Sequence, residues 1–247
     1  MSIQDEHGFT DLMYGCFHGS DEIVASLLST NHQIDLNTQE FCGFTSLMFA
    51  AREGHTKIVQ MLIDASTKKA PLDVNIRERI DGFCALSMAC RYGNIEIVKA
   101  LLDQADVDVN LQARNGCTPL MFLIDAHPEV GKTKPVEQYM PLMRRMIEQH
   151  HANIELTTIR GENLLDFAMA QNQLESTRYL LVAGATLSKT NVITDNEAGK
   201  LCQAWLSREC KVVSLKLILL WRFVYTQQDR IDIPLYYPKS LYQWPKY

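Results

Sequence analysis

The sequence predicts an all-α solenoid: helix–turn–helix repeats with turn fingers between them, closed at the C-terminal end by a helical cap. Three observations carry that prediction. The segments "HGFTDLMYGCFHGSDEIVASLL" (7–28), "CGFTSLMFAAREGHTKIVQMLI" (42–63) and "DGFCALSMACRYGNIEIVKALL" (81–102) align without gaps. Each holds a turn glycine (Gly8, Gly43, Gly82) and a second glycine 11 residues later (Gly19, Gly54, Gly93). Each is followed by "DLN" (35–37) or "DVN" (73–75 and 108–110). One such unit cannot bury its apolar face alone, so neighbours must stack.

The first copy sets the pattern. Thr10, Thr45, Thr118 and Asn163 stand where a side-chain oxygen caps the first helix of a repeat. The second glycine ends that helix by accepting a left-handed conformation. Apolar residues at three- and four-residue intervals, Val24, Val59 and Val98 among them, then mark the second helix. In the second and third copies, Ala50/Ala51 and Ala89/Cys90 are small enough for neighbouring helices to approach closely. Cys84 occupies the third cap, a loss of about 1 kcal/mol against threonine. The fourth copy, "NGCTPLMFLIDA" (115–126), places Pro119 at the first helical position. Leu123/Ile124 replace the small pair there, so distorted stacking is expected. Its second helix resumes at "MPLMRRMIEQHHANIE" (140–155), after an 11-residue insertion. The fifth copy, "RGENLLDFAMAQNQLESTRYLLVAGA" (160–185), has Asn172 in place of the second glycine.

The repeats therefore span about 6–40, 41–79, 80–113, 114–158 and 159–187. "TDNE" (194–197) reads as a capping box before a helix through about Leu206. With the apolar "VVSLKLILLWRFVY" (212–225) it makes residues 188–226 a cap over the last repeat, because solenoid ends need one. Residues 227–247 interleave aromatics with prolines and read as an extended tail.

These segments resemble the ankyrin repeat, with its G-x-T-P-L-H-x-A start, G-H turn and D-V-N finish, over residues 6–187. The resemblance implies a non-catalytic protein-binding module whose partner meets a concave face of finger-like turns and first helices. On that face the residue after the turn glycine is Phe9, Phe44, Phe83, Cys117 or Glu162. The ends of the first helices bring Phe17/His18, Arg52/Glu53 and Arg91/Tyr92. Phe9, Phe44, Phe83, Phe17, Arg52, Arg91 and Tyr92 are thus the expected partner contacts, since aromatic and arginine side chains anchor interfaces. Packing of the three rings as core is the competing reading. The family histidine is replaced by Met13, Met48, Ser87, Met121 and Asp166, so the hydrogen bonding it makes between repeats is expected to be absent.

Other classes have less support. A net charge of −5 without a long Lys/Arg run argues against a nucleic-acid role. The acidic start shows no secretory signal, and the 212–225 stretch is too short to span a bilayer. Seven cysteines without a CxxC pair fit neither a disulfide framework nor a usual zinc module. The expectation is a cytoplasmic monomer with no membrane, metal or cofactor partner. "AHPEVGKTKP" (126–135) fits a loose phosphate-binding loop, with Lys132 at the phosphate position. The register places "LMFLID" before it on a helix, whereas such a loop needs a strand. His150-His151, at a helix end, read as a favourable C-terminal charge rather than a metal pair. Two alternatives stand beside the binding module. One is a substrate-recruiting adaptor acting through the C-terminal segment, either ubiquitin-ligase-like or a microbial effector in a host cytosol. The other is an enzyme or nucleotide binder using the 127–137 insertion.

Overall fold

Five helix pairs follow one another in the computed structural model, which describes residues 4–30, 34–66, 71–125, 136–188 and 193–206. The pairs are α1 (Asp11–His18) and α2 (Asp21–Thr30), α3 (Ser46–Glu53) and α4 (Thr56–Ala65), α5 (Ala85–Tyr92) and α6 (Ile95–Leu102), α7 (Pro119–Ile124) and α8 (Val136–Glu148), and α9 (Leu164–Ala170) and α10 (Leu174–Val182). A further helix, α11 (Glu197–Leu206), comes last. The chain divides into two compact units, Met1–Cys202 and Gln203–Tyr247. The predicted 212–225 part of the cap, the 227–247 segment and Lys132 lie outside the described residues, as does most of the 127–137 insertion.

Local chemistry sets where the first helices begin. The Thr10, Thr45 and Thr118 hydroxyls accept from the N–H of Met13, Met48 and Met121 at 3.2, 3.3 and 3.3 Å. Asn163 accepts from the N–H groups of Leu165 and Asp166. Methionine closes two of these caps: the N–H groups of Thr10 and Thr118 donate to the sulfurs of Met13 and Met121, both at 3.4 Å. Cys84 makes no side-chain cap, as expected, and its sulfur lies 3.3 Å from the Ser87 hydroxyl. Gly19, Gly54 and Gly93 end their helices at φ 72°, 86° and 71°, and Asn172 takes the same role at φ 53°.

The core runs along the helices. α3 packs on α1 and on α5, and α5 packs on α7. Ala50, Ala51, Ala89, Cys90, Val24, Val59 and Val98 are fully buried there. Leu123 and Ile124 are buried as well, and α7 stops after only six residues while keeping its packing on α5.

The fourth repeat departs from expectation at its second helix. α8 begins at Val136, ahead of the predicted Met140, and carries Pro141 within it. It ends at Glu148, so His150 and His151 lie beyond it and His151 has φ 54°. Burial, then the neighbouring Arg145, pushes the His150 pKa down. Both histidines follow the helix instead of lying within its last turn. α11 ends at Leu206 as expected, but its cap is Asn196, whose Oδ1 accepts from Gly199 N–H at 2.9 Å. Thr194 instead donates its hydroxyl to Asn196 Oδ1 at 2.8 Å.

Bonding between repeats is carried one residue after the second-glycine position. His55 Nε2 lies 3.3 Å from the Phe17 carbonyl. Asn94 Nδ2 donates to the carbonyls of Ala51 and Arg52 at 2.7 and 3.1 Å, and Gln173 Nε2 to that of Ile124 at 2.7 Å. The asparagines of the D-x-N signature add a second ladder. Asn37 Oδ1 accepts from Asp73 N–H, Asn75 Oδ1 from Asp108 N–H and Asn110 Oδ1 from Asn153 N–H.

Candidate functional site

The site begins with how each finger turns. Successive turn N–H groups converge on one acceptor. Asp5 accepts from His7 and Phe9 at 2.9 and 2.8 Å, and Glu40 from Cys42 and Phe44 at 2.7 and 2.9 Å. Glu78 accepts from Ile80, Asp81 and Phe83, and the Thr158 hydroxyl from Arg160 and Glu162. Glu40 and Glu78 are buried, and those amide bonds offset the cost of burying a carboxylate.

Fingers are then tied to one another. The N–H groups of Phe41, Arg79, Arg114 and Ile159 donate to the carbonyls of His7, Cys42, Asp81 and Asn115 in the preceding finger. Gln39 Nε2 clamps its own finger at Gly43 O (2.6 Å) and the next at Arg77 O (3.1 Å). The third finger is one residue longer, and the longer Arg77 takes that place, reaching Gly82 O and Gln112 O. The residue after each turn glycine is thereby fixed beside the first helices.

Phe9, Phe44 and Phe83 are each half-buried, neither core nor fully exposed. They fall into two ring clusters rather than one stripe. Phe9 and Phe44 lie 5.4 and 5.2 Å from Phe49, and Phe17 meets Phe49 edge-on at 5.8 Å. Phe83 meets Phe122 edge-on at 5.1 Å. Arg52 lies 5.5, 5.6 and 5.7 Å from the ring centres of Phe17, Phe44 and Phe49, and its Nε pairs with Glu53 at 2.7 Å. Arg91 lies 5.4 and 5.8 Å from Phe83 and Phe122. Guanidinium-on-ring contacts of this kind contribute about 0.5–1 kcal/mol each at exposed sites. Tyr92 is half-buried at the end of α5 and joins neither cluster among the described ring pairs.

The two positions that continue the register differ in kind. Cys117 is buried, and its thiol is pushed up to about 11 by burial first, then by Asp125 and Glu162. It is a packing group rather than a nucleophile. Glu162 is half-buried and supplies no ring.

Phe49 and Phe122, which hold both clusters together, are missing from the residues singled out by sequence. The signal was present: Tyr14, Phe49 and Phe122 each stand six residues after a turn glycine. Met88 holds that position in the third repeat, and the ring ladder breaks there.

No helix among the described residues is long and apolar enough to cross a membrane. A family model for ankyrin repeats (3 copies) matches residues 1–73 and 70–133. No curated protein matches the chain significantly.

Proposed function

From a chain that belongs to the ankyrin-repeat family, we propose a non-catalytic binding module whose partner protein lies along the groove of fingers and first helices. Ankyrin repeats generally serve as protein–protein interaction modules. One observation favours this groove: two half-buried ring clusters, each carrying an arginine laid across its faces. A guanidinium held on rings is already ordered, so less side-chain freedom is lost when a partner binds. Phe9, Phe17, Phe44 and Phe83 all keep exposed area. Phe9, Phe44, Phe83, Phe17, Arg52 and Arg91 form the anchors, with Tyr92 at their edge. The module acts as a monomer in the cytoplasm.

Proximity labelling in the native cell would name the partner, and truncation would then locate it. Phe44→Ala and Phe83→Ala should each weaken binding by about 2 kcal/mol, roughly 30-fold. Fully buried phenylalanines lose about 3–5 kcal/mol of stability when cut to alanine, and these half-buried rings should lose less. Lost affinity with a retained melting transition supports the groove. Unchanged affinity for both variants rejects it.

A further inference from the structure

We propose that the tips of fingers two to five form a second docking strip, for a partner segment in which carboxylates alternate with large apolar side chains. The proposal rests on reading the chain as a protein-binding module, and it concerns the tips of the fingers rather than the ring clusters beside the first helices. Phe41, Ile80 and Ile159 are 66%, 56% and 78% exposed. All three occupy the position two residues before a turn glycine, and Arg114 holds that position in the fourth repeat. In the finger-to-finger bonding Phe41, Arg79, Arg114 and Ile159 hold one position, with Ile80 following Arg79 and Arg160 following Ile159, so exposed apolar and cationic side chains share the row of finger tips.

Charge selects the partner. Arg77, Arg79, Arg114 and Arg160 are all exposed on these fingers, in a chain whose net charge is −5. Asp81 is the exposed acid among them, whereas Glu40 and Glu78 are turned inward onto backbone amides. The strip is cationic on an otherwise acidic protein. Three of its arginines are also fixed in place, Arg77 by its bonds to Gly82 O and Gln112 O. Arg79 Nη1 donates to the Phe41 carbonyl at 3.1 Å, and Arg114 Nη2 donates to the Arg79 carbonyl. Each bond spans neighbouring fingers and leaves further N–H groups of the fork for a carboxylate. Finger one, with Asp5 and Glu6, ends the strip. A polyanion such as RNA fits less well: it would leave three apolar side chains against phosphates, and the protein's net charge would repel it.

The test uses the full chain and a random linear peptide library displayed on phage. Selected peptides are resynthesised with a fluorophore and titrated by anisotropy against variants whose melting is recorded. Arg160→Glu and Ile159→Ser are the principal variants, because neither side chain makes a described hydrogen bond. Arg79→Glu and Arg114→Glu extend the test, and Arg91→Ala is the groove control. Peptides alternating acid and apolar residues should lose about tenfold or more in affinity on Arg160→Glu. Replacing their acids by lysine should restore binding to that variant, a rescue that a contact confined to the groove would not give. Selected peptides without acids overturn the strip, as does affinity that ignores the fingertip variants. Affinity lost only on Arg91→Ala rejects the strip and keeps the groove, whereas enrichment of no peptide rejects both. A labelled single-stranded RNA that binds, and is released by Arg160→Glu, replaces the peptide with a phosphate ligand.

Discussion

A β-carbon placed on Gly116 would stand 2.7 Å from the Cα of Thr158 and 2.8 Å from the backbone nitrogen of Ile159. Both are main-chain atoms of the next finger, so neither can rotate away. Gly116 also sits at φ 82°, where an L-residue is strained by about 1–2 kcal/mol. Gly116→Ala should therefore lose that strain energy and a further 1–3 kcal/mol, roughly, for the overpacking. Gly184, at φ 94° with nothing within 4 Å, isolates the backbone part. Urea unfolding should place Gly116→Ala clearly below Gly184→Ala. Equal losses would show that the fifth finger moves aside at no cost.

Cys84 offers the opposite sign. Its backbone (φ −101°, ψ 174°) nearly matches that of the capping Thr45 (φ −99°, ψ 166°). A threonine there meets α5 with its hydroxyl already aimed at the Ser87 N–H. Cys84→Thr should stabilise the protein by about 1 kcal/mol, and Cys84→Val should not. Denaturant midpoints for the pair measure the cap alone. A gain shared by both variants would assign the effect to β-branching instead.

The caps and glycines were legible because they follow local rules: a side-chain oxygen before a helix and a left-handed residue after it. The start of α8 was not. Tyr139 is buried there and its hydroxyl donates to Gln173 Oε1 of the next repeat at 2.8 Å. That contact fixes a turn of helix ahead of Pro141, and spacing within the fourth repeat carries no trace of it. The ring clusters fall between these cases. Phe44 and Phe83 were visible one residue after their glycines, but Phe49 and Phe122 needed the register read across repeats. The links from His55, Asn94 and Gln173 were hidden for the same reason as Tyr139, since each depends on which carbonyl the neighbouring repeat presents.

The cysteines should separate by reactivity. Cys42 is exposed, and the adjacent Glu40 carboxylate, then partial desolvation, raises its pKa. Burial pushes the Cys16 thiol up to about 12. Iodoacetamide needs the thiolate and a path to it. At pH 8 the native protein should be alkylated at Cys42 well ahead of Cys16, Cys84, Cys90 and Cys117, and more slowly than a free cysteine. Raising the pH to 9 should speed Cys42 severalfold while the buried thiols wait for unfolding. Peptide mass spectrometry resolves each site. Alkylation of Cys117 as fast as Cys42 would mean that the fourth finger opens in the native state.

Asn94 connects stability to the binding face. It precedes α6 yet makes no cap, because its amide reaches back to the Ala51 and Arg52 carbonyls at the last turn of α3. Those carbonyls have no partner within their own helix, so the two bonds satisfy groups that α3 leaves open. Asn94→Ala should cost about 1–3 kcal/mol in stability. His55→Ala, which removes a single 3.3 Å contact in an exposed setting, should cost less. The effect should also reach the groove. Arg52 lies across Phe17, Phe44 and Phe49 from the end of α3, so releasing its carbonyl should loosen the guanidinium from the rings. Partner affinity should then fall in Asn94→Ala although Asn94 itself makes no contact in the groove, and the fall should shrink in an Arg52→Ala background. A double-mutant cycle on binding measures that coupling directly, because residues sharing one hydrogen-bonded turn are not additive. Full additivity would confine Asn94 to stability and leave Arg52 anchored by its rings alone.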